Sequence, residues 1–138
     1  MKLAGRSLTP GSGEGPVAVV PPLSFWGGYD PETGTIIDRH HQAHGRSLAG
    51  VVLVMPSGRG SSSSSTVLAE AIRLGTAPSA IVLAEPDPIL VVGAMVAEEL
   101  YGRRCPIVVL AQADYARVVS AVRAEVVADS AAASVTIA

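Results

Sequence analysis

The chain has 138 residues, one cysteine and a formal net charge of −2, and it is 49% hydrophobic, 16% charged and 4% aromatic. That apolar content excludes a disordered chain, the single cysteine excludes an intrachain disulfide scaffold, and the scattered Lys and Arg leave no electrostatic footprint for nucleic acid. The length suits one compact domain over residues 1–138 with a core of its own.

No apolar run approaches the ~20 residues that cross a bilayer. Ile89–Val96, the longest at eight, contains Gly93. Lys2 and Arg6 meet Pro10 and Gly11 before any apolar stretch forms, so neither a membrane span nor a secretory signal is expected and a cytoplasmic location is the default. Alanine supplies 21 residues and valine 19, which implies a core of small side chains and closely approaching backbones. Three of the five aromatics, Phe25, Trp26 and Tyr29, fall within five positions. Such a cluster is either a local mini-core or a binding surface.

Residues 1–46 are expected to be turn-rich: Gly11, Gly13, Gly15 and Pro16 precede a short Val17–Val20 run that Pro21-Pro22 stops. Gly27-Gly28 and Asp30-Pro31 mark reversals in a structured loop, and Thr35–Ile37 is a brief strand. Gly50–Met55 is a β-branched run without alternation, which predicts a strand buried on both faces. Residues 66–74 place Val67, Ala71 and Leu74 on one helical face that ends at Gly75. Ala80–Leu83 is a second buried strand, Leu90–Tyr101 a helix closed by Gly102, Pro106–Leu110 a third strand, and Asp114–Val122 a helix. Glu125–Ala128 and Ser134–Ile137 form a closing hairpin. Residues 50–110 thus alternate strand and helix, the signature of a parallel, right-handed α/β layer. With β elements before and after it, the chain is expected to be α/β, a β/β/α arrangement without internal repeat.

The chemistry concentrates in Pro56-Ser57-Gly58-Arg59-Gly60-Ser61-Ser62-Ser63-Ser64-Ser65, between the strongest strand and a helix. Ligands of open α/β sheets bind beyond the carboxyl ends of strands, where glycines admit close approach and first-turn amides bind anions. A serine hydroxyl acts as a general base only where an alkoxide is stabilised. A helix N-terminus supplies about half a positive charge, and Arg59 adds a fixed full one. The plainer readings are a Gly/Ser linker or a helix cap with spare hydroxyls. A linker fits poorly between a core strand and its crossover helix. The Gly-Lys-Ser/Thr of a Walker loop is absent, as is a Gly-x-Ser-x-Gly elbow.

Four motifs occur in order: Gly11-x-Gly13-x-Gly15, Leu23–Gly34, Gly45-Arg46-Ser47-Leu48-Ala49-Gly50, and Pro56–Ser61. Ala77-Pro78 and Gly93-Ala94 follow. Over roughly residues 3–110 the chain resembles the swivel domain of the aconitase superfamily, and more closely the small subunit of the aconitase X group. The resemblance implies a swivelling β/β/α domain in a two-chain hydro-lyase that eliminates water from a 3-hydroxy acid. It places the proton-abstracting serine at Ser61, and a further family serine at Ser65. Arg59, Gly60, Ser62, Ser63 and Ser65 are then the substrate-binding residues, with the amides and hydroxyls of Ser62 and Ser63 on a substrate carboxylate. It implies an iron or iron–sulfur centre bound by cysteines of the large subunit rather than by this chain, whose lone Cys105 cannot hold a cluster. Without that partner the 138 residues should be inert. Two substrates are implied: cis-3-hydroxy-L-proline, favoured by the Ser61–Ser65 run and the His40-His41-Gln42-Ala43-His44 segment, and phosphomevalonate.

Other residues are expected to be structural or solvated. His40, His41 and His44 lack Cys or carboxylate partners at zinc spacing and suit a surface or interface. Trp26 and Tyr29 line the substrate mouth, face the large subunit, or pack locally. Asp30 and Thr33 suit an Asx-type turn, Glu98-Glu99 and Arg103-Arg104 suit solvated helix ends, and Cys105 is a small inert hydrophobe. Arg59 also has a purely solvent-facing reading. Two rival functions stand beside the dehydratase: a non-catalytic module that grips an anion in the same Gly-Arg-Gly-Ser nest, and a stand-alone enzyme.

Overall fold

The turn-rich reading of residues 1–46 holds for residues 20–46 and is overturned for residues 2–19. In the computed structural model, which describes Met1–Ala138, the chain opens with two long strands, β1 (Lys2–Thr9) and β2 (Gly11–Val19). The Val17–Val20 run is only the end of the second. The glycines that looked like turn markers are strand residues under a passing backbone: a Cβ on Gly13 would fall on the carbonyl oxygen of Ser79. Glycine weakens a strand unless close approach demands it. Here it does.

A single distorted turn, α1 (Phe25–Gly28), and a small ribbon of β3 (Tyr29–Asp30) and β4 (Thr35–Ile36) follow. Then come β5 (Val52–Met55), α2 (Ser64–Leu74), β6 (Ala80–Leu83), α3 (Pro88–Tyr101), β7 (Ile107–Val109) and α4 (Gln112–Val119). The closing hairpin is β8 (Arg123–Ala128) with β9 (Ala132–Ile137). The strand–helix alternation over residues 50–110 is as the sequence predicts, and β5, β6 and β7 pair in parallel. The expected swivelling β/β/α arrangement is present, and its added β elements close the parallel layer into a barrel, in the order β1-β7-β6-β5-β2-β8-β9.

Pleating sorts the strands by side-chain size. Leu53, Met55, Ile81, Leu83 and Ile107 face one core beneath α2 and α3. Their alternates, Val52, Val54, Ala80, Val82 and Val108, turn into the barrel against Val126, Ala128 and Val135 of the hairpin. A barrel of few strands has an interior just wide enough for side chains to fill, so valine and alanine line it and the bulkier residues go outward. The absence of alternation in Gly50–Met55 therefore hides a period of two, in volume rather than polarity.

One helical face differs from expectation. α2 buries Leu68, Ala71 and Ile72 against α3, whereas Leu74 is 41% exposed and Val67 is only partly covered. Rotation about the axis follows the neighbouring helix, not the best sequence match. Gly75, at φ 78°, closes α2 in the left-handed conformation, and Gly102 does the same for α3.

A methyl group at Gly13 must displace the Ser79 backbone. Gly13→Ala should lower stability by ~1–3 kcal/mol, the cost of overpacking, read as a fall in the urea midpoint at constant m. Ser12→Ala, at an exposed neighbour, should shift it by less than ~0.5 kcal/mol.

Candidate active site

The loop carrying the serines leaves the carboxyl end of β5 and turns into α2. The carbonyl of Pro56 accepts from the amides of Ala84 and Glu85, both at 3.0 Å, which ties this end of β5 to the end of β6. Winding into the helix begins with a tight turn: the amides of Ser64, Ser65 and Thr66 donate to the carbonyls of Ser61, Ser62 and Ser63 at 3.0, 3.3 and 3.1 Å. The Ser63 amide is taken by Ser61 Oγ at 3.1 Å. The amides of Gly60, Ser61 and Ser62 find no acceptor within the chain and stay available to an anion.

The loop is held from below by residues 23–28. The Arg59 amide donates to the Leu23 carbonyl at 3.3 Å. Gly60 sits at φ 95°, and a Cβ there would fall on Ser24 Oγ. Both conditions require glycine. Ser64, buried at 3% exposure, accepts from the Trp26 amide at 3.0 Å through its Oγ. The Leu-Ser-Phe and Gly-Arg-Gly-Ser segments, far apart in sequence, are therefore two walls of one structure.

Between them lies a cavity of about 230 Å³. Gly58, Arg59, Gly60 and Ser61 form one side, Ser64 and Leu23 another, and Asp87 and Ile89 at the start of α3 the third. Of the sequence candidates, the structure brings Arg59, Gly60 and Ser61 together here. Ser62 and Ser65 line an adjoining shallow cleft with Pro88, Ile89 and Val92. Ser65 Oγ donates to the Ser62 carbonyl at 3.0 Å. Ser63 lines neither cavity, and its amide is already committed to Ser61.

Ser61 Oγ receives a backbone N–H and stands at the positive end of α2. Arg59 is exposed and belongs to none of the three ion pairs in the chain.

Two cavity residues escape the sequence reading. Ser64 was hidden inside the serine run, because only the helix phase shows which of five hydroxyls points inward. Asp87 carries a signal: an aspartate before Pro88 and an apolar stretch marks a helix start, beyond the end of a strand parallel to β5. Its Oδ1 accepts from the Ile89 and Leu90 amides at 3.0 and 3.2 Å.

The aromatic cluster divides. Phe25 and Tyr29 are buried with ring centroids 4.8 Å apart, and the Tyr29 hydroxyl donates to the Thr76 carbonyl at 2.7 Å. Burial, then the nearby Cys105 and Asp30, pushes that phenol's pKa up. Trp26 is 56% exposed. Asp30 Oδ1 accepts from the Glu32 amide at 2.9 Å in the expected Asx turn, beside a 2.8 Å contact between the Thr33 and Thr35 hydroxyls.

His41 Nδ1 accepts from the Ala43 amide at 3.0 Å, so Nε2 carries the proton and donates to the Pro21 carbonyl at 3.0 Å. His40 and His44 are exposed. Arg59 also edges a second cavity, of about 470 Å³, with Asp38, His40 and His41. Arg104 pairs with Glu98 at 2.9 Å and Arg103 donates to the Arg73 carbonyl at 2.9 Å. No three His, Cys, Asp or Glu side chains converge as a metal ligand set. Cys105 is wholly buried and desolvation pushes its thiol up to about 12, which keeps it protonated and inert.

With this fold and this loop, the chain belongs to the aconitase X swivel domain family, whose pattern matches residues 2–137. It is 53% identical over 108 residues to a cis-3-hydroxy-L-proline dehydratase of Pseudomonas aeruginosa, a match covering 78% of this chain and 19% of that protein. It is 39% identical over 128 residues to a phosphomevalonate dehydratase small subunit of Methanothrix thermoacetophila, covering 92% and 93% of the two chains. It superposes on the crystal structure of Thermococcus kodakaraensis aconitase X in its holo-form with a TM-score of 0.81 and 34% identity, over 99% of this chain and 98% of that one. The chain spans about a fifth of the length of the cis-3-hydroxy-L-proline dehydratases it matches.

Ser64→Ala removes the acceptor of a part-buried amide, and a stability loss of ~1–3 kcal/mol is expected; chemical unfolding measures it, and an unchanged midpoint would contradict the anchoring role. The Cys105 thiol titrates above its ordinary 9.0 in the folded chain. Its contribution to stability is therefore complete below pH 9.0 and fades as the pH rises toward about 12. Cys105→Ala should flatten that alkaline decline, and in the native chain a thiol reagent should titrate no cysteine until denaturant is added.

Proposed function

We propose that this chain, one swivel domain over residues 1–138, is the small part of a two-part hydro-lyase that dehydrates a 3-hydroxy acid, most directly cis-3-hydroxy-L-proline, with Ser61 as proton acceptor. The observation that carries this reading is the Ser61 hydroxyl on the cavity wall at the positive end of α2, with the Ser63 amide donating to it at 3.1 Å. The matched dehydratases add the substrate chemistry by similarity.

In this mechanism Ser61 enters the cycle as an alkoxide, stabilised by the Ser63 N–H and the α2 terminus. The substrate carboxylate lies on the free amides of Gly60, Ser61 and Ser62 and on Arg59, which also absorb charge as the adjacent C–H bond weakens. Ser61 Oγ takes that proton while the C–O bond to the 3-hydroxyl breaks on the opposite face. A carbon–carbon double bond forms, and hydroxide leaves to be protonated to water. Loss of the Ser61 proton to solvent restores the alkoxide. Serine base catalysis of this kind is asked to supply ~10²–10⁴-fold in rate.

The iron or iron–sulfur centre that the family implies finds no fitting ligand set among these residues. We assign it to the large partner. The outward stripe of α3, with Val92, Met95, Val96 and Leu100 exposed, adjoins the cavity and suits a surface covered by that partner. No helix is long and apolar enough to cross a membrane, and the enzyme is assigned to the cytoplasm as part of this reading. A second reading, the small subunit of a phosphomevalonate dehydratase, is favoured by the near end-to-end match with such a subunit.

The test is Ser61→Ala in the reconstituted complex. A fall in kcat of at least ~100-fold with KM nearly unchanged is expected, since the hydroxyl acts mainly in the transition state. Turnover near the unsubstituted level would leave the loop as an anion grip and end the base assignment.

A further inference from the structure

Asp87 and Arg59 line the same cavity of about 230 Å³ with opposite charges, yet they do not pair with one another. Across most protein surfaces such neighbours neutralise each other or lie in open solvent. Here the Arg59 backbone is anchored on Leu23 while its exposed guanidinium stays without a partner, and the Asp87 carboxylate is held by its cap on α3. The cap uses only Oδ1. The other carboxylate oxygen, Oδ2, accepts no hydrogen bond and lies beside the bare Cα of Gly58, where any Cβ would collide with it. The absence of a side chain at Gly58 thus keeps a free carboxylate oxygen at the wall that carries Ser61.

We infer that Asp87 is a specificity-determining residue that receives the cationic nitrogen of a zwitterionic substrate, while Arg59 and the loop amides receive its carboxylate. The inference rests on the dehydratase reading above and deepens it. A 3-hydroxy imino acid carries a protonated ring nitrogen and a carboxylate on the same carbon, the one whose proton Ser61 removes. Two opposed, unpaired charges flanking one hydroxyl match that pattern. A charge-assisted hydrogen bond from the ring N–H to Oδ2 fixes the ring so that the C–H bond faces Ser61. A phosphorylated hydroxy acid has no cation to offer, and Asp87 repels its additional negative charge. The same residue therefore selects for one substrate class and against the other.

The experiment uses the complex of this chain with its large partner and cis-3-hydroxy-L-proline. Asp87→Asn keeps a side-chain oxygen for the α3 cap but removes the charge, and Asp87→Ser is a second capping variant should the first misfold. Both should raise KM by ~10–100-fold, the loss of one charge-assisted bond, with a smaller change in kcat. The inhibition constant of 3-hydroxytetrahydrofuran-2-carboxylate, whose ring oxygen replaces the cationic nitrogen, should stay the same. An unchanged KM overturns the inference, and so does an equal weakening of the oxygen analogue, which would make Asp87 only a support for the loop. If the unsubstituted complex dehydrates phosphomevalonate and not the imino acid, the zwitterion assignment fails while the Ser61 reading survives. A fully active Ser61→Ala complex fells that reading instead.

Discussion

A narrow barrel filled mainly by valine and alanine, with Leu3 and Leu110 beside them, is the constraint on which the rest of this protein depends. Val52, Val54, Ala80, Val82 and Val108 occupy its interior with the hairpin residues Val126 and Val135. Their alternates on the same strands then have to be covered, and α2 and α3 do so by laying Leu68, Ile72, Leu90 and Ala94 over them. Because parallel strands are joined by crossover helices, closing this layer brings the ends of β5 and β6 side by side. The loop bearing Ser61 and the cap bearing Asp87 meet there as a consequence of packing.

What distinguishes this loop from an ordinary strand-to-helix connection is the economy of its hydrogen bonds. Ser64 spends its hydroxyl on the Trp26 amide, Asp87 spends one oxygen on capping α3, and the Ser63 amide goes to Ser61. These commitments hold the walls rigid. They leave uncommitted the amides of Gly60 and Ser61, the Arg59 guanidinium, one Asp87 carboxylate oxygen and the Ser61 O–H in the cavity, with the Ser62 amide beside it. A preorganised set of unsatisfied polar groups is what stabilises developing charge without reorganisation during reaction.

Membership of the aconitase X swivel family accounts for the separation of labour in this chain. It presents polar groups and a helix terminus but no converging metal ligands, and its single thiol is buried and neutral. In the proposed function such a domain supplies a base and an anion grip, and the metal chemistry falls to the partner. The match to a fifth of one set of relatives and to nearly the whole of another shows the same unit both inside a longer chain and as a separate one.

Much of this was legible from residues alone. Runs of β-branched residues bounded by Gly and Pro mark β5, β6 and β7, and a serine-rich turn directly after β5 marks the candidate site, because strand length and helix capping are local properties. Local composition also misled. Gly11, Gly13 and Gly15 read as turns because their purpose, making room for remote parts of the chain, exists only once Arg104 and Pro106, Ser79 and Gly50 respectively lie against β2. Likewise the serine run reveals five hydroxyls without saying that Ser61 faces the cavity, Ser64 reaches the Trp26 amide and Ser65 donates to the Ser62 carbonyl. That choice is made by the phase of α2, which its packing on α3 sets, and Asp87 enters the site only because β6 lies beside β5. Sequence alone determined the alternating strands and helices from β5 onward and the segment proposed to carry the chemistry; tertiary structure decided that the glycine-rich start is two long strands and which atoms of that segment meet, because facing and distance depend on contacts between residues remote along the chain.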